Sequence, residues 1–202
     1  MFDNQMRRLK DVVFAPLGQV LGHIPPASFT LMALLLGVGT AVALYFQLYL
    51  VAFLGWFFNR VFDALDGVVA RQQGSQSDFG GYLDIVSDFV VYAVIPIGLV
   101  LGRPSATGFM LLAVLLACYY VNAASWIYLA AILEKRAIGA ALRGEQTAVT
   151  MPAGLIGGTE TIVFYALFIL FPGWYLWLFA LLAALVVLTI FQRLVWAYRR
   201  IR

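Results

Sequence analysis

The sequence predicts an all-α integral membrane protein, with six transmembrane helices preceded by an amphipathic helix lying in the membrane interface. Three observations carry this. Of 202 residues, 63% are hydrophobic and only 11% are charged, with mean hydropathy +0.93, where a soluble domain carries about 25% charged residues. Apolar runs of about 20 residues, the length needed to cross a bilayer, recur six times, near 27–46, 49–71, 80–102, 105–133, 151–171 and 174–196. Runs of that length are helices, which satisfy their own backbone groups in lipid; barrel strands would need about half as many residues.

Taken in order, residues 1–26 read as a juxtamembrane segment and 27–202 as one six-helix domain. Phe2, Met6, Leu9, Val13, Leu17 and Val20 recur at steps of three or four, while Arg7, Arg8 and Lys10 take other positions. That spacing predicts an interfacial amphipathic helix over 2–22, bent at Pro16. Asp3, Asp11 and three prolines within the first 26 residues do not match a cleavable signal peptide, so the first span is expected to stay. Pro25 and Pro26 break the chain, and Ser28 or Thr30 is placed to cap that span.

The connections set the orientation. With both termini on one side, that side receives Arg7, Arg8, Lys10, Arg71, Lys135, Arg136, Arg143, Arg193, Arg199, Arg200 and Arg202, and the other side only Arg103. Eleven cations against one place both termini in the cytoplasm. The net charge of +3 is thus a topology signal and a contact for anionic lipid, with no call for nucleic acid. The polar connections 71–78 and 134–150 fall on the cytoplasmic side, and those outside are as short as Gly102-Arg103-Pro104 and Phe171-Pro172-Gly173. Work is expected at the inner membrane's cytoplasmic face. A lone cysteine, Cys118, excludes an internal disulfide and a thiolate metal cage.

Five of the seven aspartates lie between Asp63 and Asp88. Asp63, Asp66, Gly67 and Ala70 form one helical stripe on the second span, and Gly80, Asp84, Ser87 and Asp88 form another on the third. The second span runs toward the cytoplasm and the third leaves it, so four carboxylates share one depth. Ionisable groups in a membrane span are expensive and mark function. Crowded together they cannot all carry charge without cations, and an oxygen-only set favours Mg²⁺, Mn²⁺ or Ca²⁺ over zinc. Two such ions about 4 Å apart form the clamp used in phosphoryl-type transfer, and Arg71 is suited to a phosphate.

The spacing Asp63-x2-Asp66-Gly67-x2-Ala70-Arg71-x8-Gly80-x3-Asp84-x3-Asp88 resembles the signature of the CDP-alcohol phosphotransferase family at all eight fixed positions. Chance agreement is on the order of 10⁻¹⁰ per starting position, at one residue type in twenty. The resemblance implies a metal-dependent transferase with a two-metal Mg²⁺ or Mn²⁺ site held by Asp63, Asp66, Asp84 and Asp88. Asp66 would bridge the ions, and Asp88 would also be the general base. It implies a CDP-donor pocket at Asp66, Gly67, Ala70, Arg71 and Gly80, with Arg71 on the diphosphate. The expected reaction moves a phosphatidyl group from CDP-diacylglycerol to a small alcohol acceptor within the lipid bilayer, releasing CMP. A homodimer is also implied.

The signature reads the donor and leaves the acceptor open. Glu160 on the fifth span, Arg60 one turn from Asp63, and Lys135 and Arg143 on the inner side are the acceptor-site candidates. Arg60 also reads as a counter-ion to the aspartates, and Glu160 as a structural hydrogen bonder. Basic groups favour a phosphorylated polyol such as glycerol 3-phosphate or inositol phosphate; Glu160 would suit serine, inositol or another free alcohol. The alternative of another class is a cation or proton transporter built on intramembrane carboxylates, but such proteins show repeats and midplane sites. No repeat is evident in this sequence.

Overall fold

A computed structural model describes residues 13–136 and 154–201. Arg143 and the first half of the expected leader helix lie outside the described residues. Every regular element among them is helical: α1 over 13–21, α2 Pro26–Tyr45, α3 Tyr49–Gln73, α4 Asp78–Gly102, α5 Ala106–Lys135, α6 Gly158–Leu170 and α7 Tyr175–Ile201, the last entered through a 3₁₀ turn at Pro172–Trp174.

Four of these segments are long and apolar enough to cross a membrane: α2, α4, α5 and Pro172–Ile201. Helix α3 has 25 residues, about 37 Å at 1.5 Å per residue. What sets it apart is composition, since it carries Arg60, Asp63, Asp66 and Arg71. Helix α6 has 13 residues, about 20 Å. It begins at Gly158, later than the expected 151–171 span, for a local reason. The Gly157 N–H donates to Glu160 Oε2 at 2.9 Å, which caps the helix at its third residue. Just before it, Leu155 N donates to Gln192 Oε1 at 3.0 Å and Ile156 N to Thr189 Oγ1 at 2.9 Å, so α7 side chains satisfy this backbone without helix.

Helix α2 is the central wedge. Helices α3 and α4 both pack along it far more closely than on each other, while α5 packs on α7. Bare backbone makes the α2–α4 approach possible, with Gly98 against Ala41 and Gly102 against Leu44. A second tie is made where Gln47, in the left-handed region at φ 58, donates its side-chain amide to Gly102 O at 2.8 Å. The main core joins α3, α4, α6 and α7 through Trp56, Ile95, Leu99, Tyr165, Phe168 and Phe179, each at most 2% exposed. Sequence-wise α2 starts at Pro26 with no side-chain cap; Thr30 is used elsewhere.

A smaller cluster of Phe29, Leu65 and Val69 receives Phe14, Leu21 and Ile24 from the N-terminal segment. Gln72 donates to Ala15 O at 3.1 Å, and Gln73 to Gly22 O at 2.6 Å and Ile24 O at 3.0 Å. Helix α1 is thereby tied to the end of α3 that carries the candidate site, and leaves Val13, Leu17 and Val20 exposed along one face.

Candidate active site

Two antiparallel helices bring the acidic stripes together. Helix α3 stops at Gly74, whose φ of +62 lies in the left-handed region that ends helices at least cost. Four residues later α4 starts, its N-terminus capped by Ser77 Oγ accepting from Gly80 N at 3.1 Å. The last turns of α3 and the first turns of α4 therefore sit at one level. Because both helices lean on α2 rather than on each other, a cleft is left between them.

In that cleft Asp63, Asp84 and Asp88 each present a carboxylate oxygen within 4.8 Å of the other two. A hard cation binds oxygens at about 2.1 Å for Mg²⁺ and about 2.4 Å for Ca²⁺, so ligand oxygens span up to about 4.2–4.8 Å. The all-oxygen set and its spacing fit one such ion with little movement. Asp66 is 8% exposed and turned toward α2, where its Oδ2 accepts from Thr30 Oγ1 at 2.7 Å. That bond replaces the capping role expected of Thr30.

Arg60 completes the cluster. Its NH2 lies 3.0 Å from Asp88 Oδ1 and its NH1 3.6 Å from Asp63 Oδ1. The guanidinium carbon stacks 4.7 Å from the Trp56 ring centroid and 5.6 Å from that of Tyr92. Of the two readings open for Arg60 in the sequence, the geometry is that of the counter-ion.

Gly67 and Arg71 share a face, one turn apart, and the Arg71 guanidinium folds back over Gly67: a Cβ built there would lie 3.1 Å from Arg71 NH1. A Cβ on Gly80 would meet only Ser77 Oγ, at 3.2 Å. Neither glycine is pressed by another helix. Ala70 is half-buried on the same face as Gly67.

On the other side of Asp88 a cavity of about 450 Å³ opens among α4, α5, α6 and α7; its walls include Asp88, Tyr92, Tyr119, Trp126, Glu160 and Arg193. Arg193 is 6% exposed. Its NH1 donates to Asn122 Oδ1 at 2.7 Å, Asn122 O at 3.3 Å and Ser125 Oγ at 2.6 Å. Its Nε has no partner, and among the described residues it makes no ion pair. Glu160 reaches this cavity from α6 while capping that helix. Lys135 is exposed at the end of α5, away from the cavity wall.

Sequence reading counted Arg193 only as a topology charge. Its signal was available: an arginine set within the apolar run 174–196 is a buried cation that must be held by something. Thr30, Asn122 and Ser125 carry no such signal, because hydroxyls and amides in an apolar helix acquire meaning only from what faces them.

An apolar helical chain with an oxygen-only acid cluster between two antiparallel helices, and a polar-walled cavity beside it, has the arrangement of a membrane-embedded enzyme whose acid cluster could hold a hard cation. The particular family follows from comparison with known proteins: the model for CDP-alcohol phosphatidyltransferase matches residues 23–192, and the chain belongs to that family. Membership implies transferase activity in phospholipid synthesis, and sets the transporter alternative aside. The inner membrane protein YnjF of Escherichia coli is 34% identical over 178 residues, 86% of this chain and 82% of that protein. A CDP-diacylglycerol–serine O-phosphatidyltransferase of Methanocaldococcus jannaschii is 50% identical over 40 residues, 20% of each chain. The fold is similar to that of the phosphatidylinositol phosphate synthase PgsA1 of Mycobacterium tuberculosis. The TM-score is 0.69 at 21% identity to the form solved with CDP-DAG bound, covering 93% of this chain and 92% of that one. For the apo form it is 0.67.

Proposed function

We propose that this protein transfers the phosphatidyl group of CDP-diacylglycerol to a hydroxyl acceptor and releases CMP. The observation that carries the reading is the convergence of Asp63, Asp84 and Asp88 at the positions of the family signature. The acceptor oxygen forms a bond to the lipid-side phosphorus, the bond from that phosphorus to the CMP oxygen breaks, and CMP leaves with the electron pair. Asp88 takes the acceptor proton, since it alone of the four aspartates faces both the acid cluster and the cavity. Asp63, Asp66, Asp84 and Asp88 would hold Mg²⁺ or Mn²⁺, which supplies charge neutralisation at the diphosphate when bound. Arg71 sets a guanidinium over the bare backbone at Gly67, where, with Ala70 and Gly80, room is left for a nucleotide and its phosphates.

The acceptor is a phosphorylated polyol, of the glycerol 3-phosphate or inositol phosphate kind. Support comes from Arg193, a buried cation that has no carboxylate partner among the described residues and shares a cavity with Asp88. Burying a charge is costly unless it is paired, and an anionic ligand would supply the pair. Lys135 is too exposed to do so from the end of α5. Glu160, on the same wall, favours the second reading, a free alcohol such as serine or inositol.

Six crossings require α3 and α6 as well as the four apolar segments; α3 then spans with Arg60, Asp63 and Asp66 turned inward and Arg71 exposed near its end. The Lys/Arg distribution supports a placement of both termini and the site on the cytoplasmic side of the inner membrane. The exposed face of Val13, Leu17 and Val20 supports an interfacial α1. A homodimer is proposed on family grounds.

The test is CMP release from CDP-diacylglycerol by purified protein across a panel of glycerol 3-phosphate, inositol phosphate, serine and inositol. Activity is expected with a phosphorylated acceptor, lost in EDTA and restored by Mg²⁺ or Mn²⁺. Release with serine or inositol alone would select the second reading, and full activity in chelator would overturn the metal assignment.

A further inference from the structure

Two of the three clustered aspartates are engaged by Arg60, and the way Arg60 is held carries a consequence for the cation site. Its Nε donates to Asn59 Oδ1 at 2.6 Å. Asn59 is fully buried and anchored in turn by donating to Ala33 O on α2 at 2.6 Å. Tyr92 Oη accepts from Arg60 NH1 at 3.3 Å. Trp56, 2% exposed, and Tyr92 stack on the guanidinium from the side. Three neighbours that are not candidate metal ligands, Asn59, Tyr92 and Trp56, therefore fix this head group. It does not need the carboxylates to hold its place, and a metal ion arriving among them gives it no reason to leave.

We propose that Arg60 is a resident cation of the acid cluster, a positioning residue that holds Asp63 and Asp88 in shape before a divalent ion binds and sets how tightly that ion is held. The inference rests on the cation-site reading given above. Formal negative charges at Asp63, Asp84 and Asp88, with Asp66 beside them, meet one positive charge at Arg60, which leaves a net negative charge that attracts divalent cations. Without Arg60 the three carboxylates repel each other in the ion-free protein, and an incoming ion finds more negative charge and no competing cation. Arg60 thus trades metal affinity for an ordered, ion-free site, so that product release and ion exchange do not scramble the helix pair.

This trade separates the proposal from a merely structural role, because it moves two observables in opposite directions. For Arg60→Gln in detergent, the melting temperature in EDTA is expected to fall, and to recover to near wild type at saturating Mn²⁺. Mn²⁺ affinity, read without substrates by the loss of free-ion paramagnetic resonance, is expected to rise about tenfold or more. A charge pair of +1 and +2 about 6 Å apart is worth that factor even at the dielectric of water. Arg60→Lys keeps the charge, and is expected to hold Mn²⁺ affinity within about threefold of wild type.

Equal destabilisation of Arg60→Gln with and without Mn²⁺, or affinity no tighter than wild type, would overturn the proposal. Failure of Arg60→Gln to fold even at saturating Mn²⁺ would also overturn it, since the ion is meant to supply the missing charge. Absence of Mn²⁺ binding by the wild-type protein would instead sink the cation-site reading itself, and this inference with it.

Discussion

Two sets of glycines in this protein do opposite things. Gly37, Gly98 and Gly102 let α2 and α4 touch: a Cβ at Gly98 would land on the Ala41 carbonyl, one at Gly102 on the Leu44 carbonyl, and one at Gly37 on the Val91 methyls. Gly67 and Gly80 are met by nothing but the end of Arg71 and the Ser77 hydroxyl. The first set spends its missing side chain on close backbone approach, the usual way helices associate where lipid offers no hydrophobic drive. The second leaves space unfilled beside the acid cluster. A protein that packed every glycine would have no room for a ligand, and one that packed none would have no rigid wall on which to hang the site.

The comparison breaks or holds first at Gly98. Gly98→Val sets a branched side chain against backbone that cannot swing away, so α2 and α4 must part. The expected cost is about 3 kcal/mol or more, read as loss of folded protein or a large drop in melting temperature in detergent. A wild-type melting temperature would show that the α2–α4 approach is looser than described.

The acid cluster itself should respond in the opposite sense, with chemistry lost and the fold kept. Asp88→Asn is expected to lower kcat by about 10²–10⁴-fold, the range for a missing general base, while donor binding and melting temperature stay near wild type. Asp66→Asn should abolish turnover through the cation site. Near-normal kcat in Asp88→Asn would move the base elsewhere.

Gly67→Val and Gly80→Val sharpen the contrast with Gly98. Valine is no worse than glycine in a helix interior, and no neighbouring helix is in the way, so stability should be unchanged or slightly higher. Affinity for CDP-diacylglycerol is expected to fall more than about tenfold, about 1.4 kcal/mol. Loss of stability with donor binding intact would transfer these glycines to the packing set.

The smallest effect expected is at Thr30→Val, which keeps the shape and removes the donor to Asp66 Oδ2. A typical intramolecular hydrogen bond contributes about 0.5–1.5 kcal/mol net, and partial replacement by solvent should leave a loss near the lower end, about 0.5 kcal/mol. The check is melting temperature together with Mn²⁺ affinity. No change in either would show that Asp66 is oriented by other groups.

Much of this molecule is legible in its sequence alone. Composition and run length dictate helices in a membrane, because in lipid a backbone has few other ways to satisfy its polar groups. The period of the acidic stripes dictates that Asp63 and Asp66, and Asp84 and Asp88, share faces, since that is the geometry of a helix and needs no partner to be true. The eight-residue signature carries the donor chemistry. Tertiary structure decided the rest. Only packing on α2 brings the Thr30 hydroxyl to Asp66 Oδ2 while Asp63, Asp84 and Asp88 present oxygens to one another. Only the meeting of α4, α5, α6 and α7 puts Arg193 and Asp88 on one cavity, from positions more than 100 residues apart. Only the meeting of α3 with α4 surrounds the Arg60 guanidinium with Asn59, Trp56 and Tyr92. Periodicity is a property of one helix and is written in local sequence, whereas which face meets which neighbour is settled by the sum of contacts across the whole bundle, and no short stretch of chain contains that sum.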